Sequence, residues 1–227
     1  FEPCMTSEPG LGVFLAPAEF VDSDHPEVQR FAAAAIAGAG TVQQRLQLLY
    51  RAVRDSIRYN PYVDFRSREI FRASSVLQAG NGYCVGKAAL FAAACRVIGV
   101  PARVGFADVR NHLATPRLLQ MMQTNLFAWH GYTECLVEGR WVKASPTFNA
   151  TLCQKLNVAP LEFDGVQDAL MQAFDAGNAR FMEYVAQHGA YFDVPAKFLL
   201  AEMARQYPHL AASGPTLGSA LEDDSAA

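Results

Sequence analysis

One cysteine stands where a glycine-rich turn meets an alanine-rich segment, in AGNGYCVGKAAL at residues 79–90. A thiol attacks only as its thiolate, which is the minor form of a free cysteine at neutral pH. A helix beginning at Cys84 would present unpaired N–H groups and a partial positive charge, and both favour the anion. The same N–H groups can stabilise an oxyanion on an acyl substrate. Cys84 is therefore a candidate nucleophile, with ordinary packing as the alternative.

A thiol nucleophile also needs a base within hydrogen-bond reach, and the chain has five histidines. His130 opens a predicted strand, where a sheet would hold its ring, so it is preferred over His112 in a polar loop. The positions of His25 and His209 indicate surface residues. His188 belongs to an apolar stripe that is typical of a structural residue.

Composition excludes several other classes of function. Apolar residues make up 51% of the 227 residues, 18% are charged and the net charge is -3, so no basic surface for nucleic acid or lipid is expected. No apolar run reaches the ~18 residues of a membrane span, and the first residues lack the basic start of a secretory signal. We therefore expect no nucleic-acid or membrane partner.

The five cysteines include no CxxC pair, which argues against a disulfide framework and a thiolate zinc site. This cysteine usage suits a reducing compartment, so a cytoplasmic location is predicted. A metal site built from Cys84, His112 and His130 would lack a carboxylate at ligand spacing. No metal and no other cofactor is therefore predicted.

Periodicity and end signals predict the elements that position these residues. Helices are predicted over 25–38 (with Asp24 as N-cap), 41–59, 84–99, 115–127, 165–188 with a break near 177, and 196–206. Strands are predicted over 102–109 and as a hairpin over 130–148 that turns at Glu138-Gly139. The segment 108–128 is expected to form part of a cleft rim. Parallel βαβ alternation is absent, so the pattern indicates an α+β fold.

Three stretches resemble the transglutaminase-like superfamily of papain-type cysteine enzymes. They are GNGYCVGKAALFAAACRVIGVPARV, WHGYTECLVEGRWVKASPT and LLYRAVRDSIRY, which together cover roughly residues 41–150. The resemblance implies a papain-like core, in which a central helix packs on an antiparallel sheet with flanking helices. It also implies a Cys-His-Asp triad in which Cys84 is the nucleophile and His130 the base. Where the family has aspartate, this chain has Ser145 in KASPTFN.

The hairpin register shows what Ser145 could do. A two-residue turn places Thr147 opposite His130 and makes Ser145 its diagonal neighbour on the same face. A serine can orient an imidazole through a hydrogen bond, but it supplies no negative charge to stabilise imidazolium. Thr147 and Asn149 are alternative orienting residues, since asparagine serves this role in papain-like proteases.

The resemblance implies a cysteine acyl-transfer enzyme acting on amide or peptide bonds, with hydrolysis expected over transamidation. Tyr83 and Trp129 adjoin the two reactive residues and are expected to line the substrate cleft, and His112 is a candidate substrate contact. The alternative, motivated by Ser145, is a catalytically degenerate peptide-binding module on the same fold.

The expected organisation has three parts. Residues 1–155 are predicted to form the catalytic core with its N-terminal helices, and 156–210 a helical extension packed on the same domain. Those C-terminal helices are candidates for a homodimer surface. Residues 211–227 are small, polar and acidic, which predicts a flexible tail.

Overall fold

The structure, a computed structural model, describes residues 10–171, 173, 175–212 and 220–224. Its helices are α1 (Pro26–Ala35), α2 (Val42–Ser56), α3 (Ala73–Ala79), α4 (Cys84–Val97), α5 (Pro116–Met122), α6 (Ala150–Lys155), α7 (Ala196–Gln206) and α8 (Pro208–Ala212). Its strands are β1 (Arg58–Tyr59), β2 (Asn81–Gly82), β3 (Ala102–Asn111), β4 (Leu126–Val137), β5 (Arg140–Ala144) and β6 (Met182–Tyr191). Short 3-10 turns are formed at Leu11–Phe14, Arg68–Phe71 and Leu221–Asp223. The α+β class predicted from the sequence is confirmed.

The central element is α4, which is buried on every side. All of its residues from Cys84 to Arg96 are buried, as expected for an alanine-rich helix without a polar face. Helices α1, α2 and α3 pack against it, and strands β3 and β4 pack on it from the sheet. The start of α4 is therefore held in place by both layers of the fold.

A buried lysine joins α4 to the end of α2. Lys87 is fully buried, and its ammonium group donates to the carbonyls of Arg54 and Ile57. Burial lowers the pKa of Lys87 from 10.5 to about 7. Carbonyls in the last turn of a helix have no intrahelical partner, so Lys87 caps the end of α2. Lys87 itself lies on α4, one helical turn after Cys84.

The helices predicted to start at 25, 41, 84, 115 and 196 begin within one residue of those positions, with one correction to a cap. Thr41 and Gln44 form a capping box at the start of α2. Asp24, however, is not the N-cap of α1. The imidazole of His25 takes that position and accepts from the N–H of Glu27. An imidazole nitrogen one residue nearer the helix serves the same purpose as a carboxylate.

The main sheet has the order β5-β4-β3-β6, and neighbouring strands are antiparallel. The predicted hairpin register is confirmed from Val137–Arg140 to Thr133–Ala144, with Glu134 paired to Lys143. The ladder ends at Ala144, so the predicted pairing of Thr147 with His130 is not formed, and the N–H of Ser145 bonds the carbonyl of Ala169 instead. Glu138 and Gly139 both have positive φ, of 50° and 77°. A two-residue turn of this kind matches the twist of antiparallel strands and fixes their register.

The helix predicted over 165–188 is wrong. Residues 182–191 form β6 and complete the sheet beside β3. Val185, inside the predicted helix, is 51% exposed, because side chains alternate between the two faces of a strand. Before β6, Ala169 bridges Ala144 at the end of β5. The C-terminal extension is thus part strand, although its helix over 196–206 is confirmed as α7.

The flexible tail predicted over 211–227 is wrong for residues 220–224. Leu221 is buried, and Asp224 accepts hydrogen bonds from Arg117 and from the hydroxyl of Tyr62. The acidic residues of this segment form ion pairs with basic residues of the core, and composition alone does not reveal such pairs. Residues 213–219 and 225–227 lie outside the described residues. Within the described ranges, no helix combines the length and apolar character that crossing a bilayer demands.

Candidate active site

The sulfur of Cys84 faces three backbone N–H groups. Cys84 is the first residue of α4, and its own N–H and those of Val85 and Gly131 point toward the sulfur. The N-cap residue, Tyr83, makes no side-chain cap that would compete for these groups. Burial raises the pKa of the Cys84 thiol to about 11, and the N–H groups lower it by less. The resting thiol is therefore protonated, with hydrogen-bond donors for an anion already around it.

Gly131 brings β4 against the start of α4. A Cβ added at this glycine would lie 2.7 Å from the Cα of Val85 and 3.1 Å from its backbone nitrogen. Real Cβ atoms do not approach backbone this closely, so any larger residue would push the strand away from the helix. Gly131 therefore lets β4 pack closely on α4. This packing sets the distance between Cys84 and His130, the residue that precedes Gly131 in the chain.

We expect Gly131→Ala to destabilise the fold by about 1–3 kcal/mol, because overpacking a buried contact has costs of that size. The movement should also slow any reaction of Cys84 that depends on His130. Urea unfolding and the acylation assay described below measure the two effects. Gly12→Ala is the matched control, since a Cβ there meets nothing within 4 Å and should change neither quantity. Equal unfolding midpoints for the two variants would contradict the proposed role of Gly131.

His130 is the candidate base. It lies on β4, paired with Ala107, and is 5% exposed. Burial lowers the pKa of His130 from 6.5 to about 4, so the imidazole is neutral at physiological pH. Its Nε2 atom is buried and has no hydrogen-bond partner. A neutral imidazole with a free nitrogen can accept a proton from a thiol.

Trp129, the residue before His130, lies at a bulge in the sheet. Trp129 has a φ of 57°, which is rare for a residue other than glycine, and its N–H donates to Asp108 at 3.0 Å. Asp108 also bonds His188 Nε2 at 2.7 Å. The His188 ring stacks on the Trp129 indole with centroids 4.1 Å apart and planes at 16°. His188, expected to be structural, thus helps to fix the backbone that carries the candidate base.

Ser145 and Thr147 supply hydroxyls but no charge. Ser145 follows β5, and its backbone carbonyl accepts from the hydroxyl of Tyr50 at 3.0 Å. Both side chains are 1% exposed, and neither hydroxyl has a well-formed hydrogen bond. Burial is the cause of the lowered pKa of His130, with no contribution from a carboxylate. This stretch therefore supplies two hydroxyls and no carboxylate at the place where the family carries its acid, and only Thr147 of the two lines the cavity with His130.

Tyr184 is a site residue that the sequence analysis missed. Its ring lies 6.3 Å from the His130 ring at 71°, and its hydroxyl accepts from the N–H of Met171 at 3.3 Å. Burial raises the pKa of Tyr184, and the nearby Ser145 hydroxyl opposes the shift. Tyr184 lies on β6, and the alternating pattern of 182–191 was the signal that could have identified it.

Two predicted site residues lie elsewhere. The side-chain oxygen of Asn149 accepts from the N–H of Tyr59, and its amide nitrogen donates to Glu222. The amide is committed to these contacts at the start of α6, so Asn149 does not orient His130. His112 is 3.0 Å from Glu183 and is not part of the cavity around Cys84.

A cavity of about 50 Å³ joins the reactive groups. Cys84, His130, Tyr83, Trp129 and Thr147 all line it, so five of the predicted site residues meet there. The segment 108–128 contributes to its wall, as expected for a cleft rim. The exposed fraction of Cys84 is 8%, so the sulfur is reached through this cavity and not from an open surface.

The chain matches one protein family and is similar to several solved structures. The profile of the transglutaminase-like superfamily matches residues 29–146. Among curated proteins there is no match. Among solved structures, the chain is similar to a candidate cysteine protease of Cytophaga hutchinsonii, with 17% identity, a TM-score of 0.50 and 84% of this chain covered. The chain spans 57% of that protein, and at this identity the similarity shows the fold alone.

Two further solved structures are similar over shorter stretches. One is called a TGase, with 15% identity, a TM-score of 0.40 and coverage of 53% of this chain and 30% of that one. The other is a candidate protease of Parabacteroides distasonis, with 17% identity, a TM-score of 0.40 and coverage of 63% and 28%. No conclusion here depends on these two similarities.

The matched residues 29–146 are 118 of the 227 residues and run from α1 to just beyond β5. They include the helix that begins at Cys84, the strand that carries His130 and the position of Ser145. The chain belongs to the transglutaminase-like superfamily.

Proposed function

We propose that this chain is a cysteine acyl-transfer enzyme that acts on amide or peptide bonds through Cys84 and His130. The observation that carries the proposal is the setting of the Cys84 sulfur. It lies at the start of α4 among three N–H donors, in a cavity that His130 also lines. Such donors stabilise both a thiolate and the oxyanion that forms when it attacks a carbonyl.

The reaction balances with these two groups. His130 takes the thiol proton as the sulfur attacks the carbonyl carbon, and a C–S bond forms. When the intermediate collapses, the C–N bond breaks and His130 gives its proton to the departing amine. Water then attacks the thioester, His130 accepts a proton from it, and the proton returns to the sulfur as the acid leaves.

Hydrolysis is proposed over transamidation. A water molecule needs about 10–15 Å³, which a cavity of about 50 Å³ provides beside a small acyl group. A peptide or amide substrate, a homodimer and a cytoplasmic location remain predictions.

A second candidate function is a catalytically degenerate module that binds a peptide. Two observations favour it. Ser145 supplies no carboxylate, and burial separates the pKa values of Cys84 and His130, at about 11 and about 4, in the direction that disfavours an ion pair. A binding module would keep the cavity and need no thiolate.

Trapping the acyl-enzyme separates the two candidates. A Cys4→Ala background removes a thiol that lies outside the described residues. After brief exposure to p-nitrophenyl butyrate and an acid quench, peptide mass spectrometry should find one butyryl group on Cys84. The buried thiols of Cys95 and Cys135 should stay unmodified, and Cys84→Ala should show no adduct. An unmodified Cys84 would contradict the enzyme and favour the binding module.

A further inference from the structure

The cavity at Cys84 has one side that carries Cys84, His130 and Thr147, and the rest of its lining is mostly apolar, with Asn111 and three tyrosines as the exceptions. Six apolar side chains line it from five parts of the fold: Leu118, Met122, Met171, Met182, Met203 and Leu221. Among the described residues that line it, none is an aspartate, glutamate, lysine or arginine. A charged group entering this space would lose its water without gaining a counter-charge.

Two buried polar atoms on the reactive side lack partners. Nε2 of His130 and the hydroxyl of Thr147 belong to lining residues that are 5% and 1% exposed. Native structures normally satisfy buried polar atoms, so these two indicate where a polar part of a ligand would lie. The cavity thus fits a molecule with a polar end at Cys84 and an apolar remainder.

The volume limits that remainder. One water needs about 10–15 Å³, and an apolar cavity of about 150 Å³ can hold benzene. At about 50 Å³, this cavity accepts a few carbon atoms, whereas a ring or a long chain would require the walls to move.

We propose that this cavity is the acyl pocket of the enzyme and that it selects a short, uncharged aliphatic acyl group. The inference rests on the proposed acyl transfer and adds its substrate class. The carbonyl lies at the N–H groups around the Cys84 sulfur, and the aliphatic part lies among the methionines and leucines. Flexible methionine side chains suit such a pocket because they adapt to small differences in shape.

A series of p-nitrophenyl esters tests the selection. Attack by Cys84 breaks the ester C–O bond, forms the thioester and releases nitrophenolate, while His130 takes the thiol proton. The rate of this first turnover is measured for acetate, butyrate, octanoate and hemisuccinate, each relative to its reaction with free cysteine. Butyrate should exceed acetate about tenfold, since two more methylenes are buried. Hemisuccinate and octanoate should each be slower than butyrate.

A hemisuccinate rate equal to the butyrate rate would overturn the inference, as would an acetate rate at or above it. Met203→Ala enlarges the pocket at a partly buried position and should raise the octanoate-to-butyrate ratio about fivefold or more. Met121→Ala is the matched control, because this methionine is not a lining residue, and it should leave the ratio unchanged. A ratio that changes equally in both variants would also count against the pocket. Should Met203→Ala fail to fold, the wild-type series still decides.

A binding measurement tests the pocket independently of the acyl-transfer reaction. Saturation-transfer NMR on the wild-type protein should detect butyramide and not succinamate, and Met203→Phe should weaken the butyramide signal. If no ester acylates Cys84 while butyramide still binds in this way, the acyl-transfer function fails and the aliphatic pocket stands. Equal signals from butyramide and succinamate would remove the pocket, whatever the outcome with esters.

Discussion

Replacing His130 with alanine should slow the acylation of Cys84 by about 10²–10⁴-fold, the usual contribution of a general base. The thiol of Cys84 has a pKa of about 11, so few molecules hold the thiolate at neutral pH without help. His130 lies in the same cavity, neutral and with an unpartnered nitrogen, so it can remove the proton during attack. The nitrophenolate released in the first turnover with p-nitrophenyl butyrate measures the rate.

His112→Ala is the matched control for this loss. His112 was the alternative base in the sequence, but it contacts Glu183 and lies outside the cavity. The control should acylate at the wild-type rate. A His130→Ala rate within a few-fold of the wild type would rule out His130 as the base.

The same variant has a stability effect whose sign follows from burial. The folded protein lowers the pKa of His130 from 6.5 to about 4, so between these values the unfolded chain binds more protons. Stability is therefore fully present above pH 6.5 and is lost as the pH falls toward 4, by about 3 kcal/mol at 1.36 kcal/mol per pKa unit. Urea unfolding at pH 7 and pH 4.5 should show a smaller acid loss in His130→Ala than in the wild type.

The positions of Cys84 and His130 in the fold could be predicted from sequence because their signals are local. A glycine-rich turn followed by an alanine-rich helix places Cys84 at a helix start. A hairpin with a two-residue turn fixes the register of β4 and β5, and the same stretch brings His130 and Thr147 to one cavity. Both features depend on residues within about twenty positions of each other, so neither needs the rest of the fold.

The third side of the site could not be predicted in this way. Residues 181–188 carry apolar side chains at spacings that fit a helix and a strand alike. They form a strand because they pair with the edge of β3 that β4 leaves open. That choice brings Tyr184 to His130 and His188 to Trp129. Leu221 likewise reaches the cavity from a segment whose composition indicates a tail. These contacts are long-range pairings that periodicity does not encode.

The most informative change at this site adds the carboxylate that the family has and this chain lacks. Ser145→Asp should accelerate the acylation of Cys84 about 10–100-fold. In a serine protease, loss of the carboxylate's charge costs about 10⁴-fold. We expect a smaller gain here, because the helix start already favours the thiolate. A carboxylate beside His130 would stabilise the imidazolium that forms when the thiol gives up its proton.

Ser145→Asn is the matched control, since it has nearly the same size and hydrogen-bonding reach but no charge. If charge is what the site lacks, only the aspartate variant gains rate. It should also lose less stability than the wild type between pH 6.5 and 4, because an added carboxylate raises the folded-state pKa of His130 toward its unfolded value. Equal rates and equal acid losses in the two variants would mean that the carboxylate does not reach the imidazole. Position 145 would then take no part in orienting His130, because a serine hydroxyl reaches less far than an aspartate carboxylate.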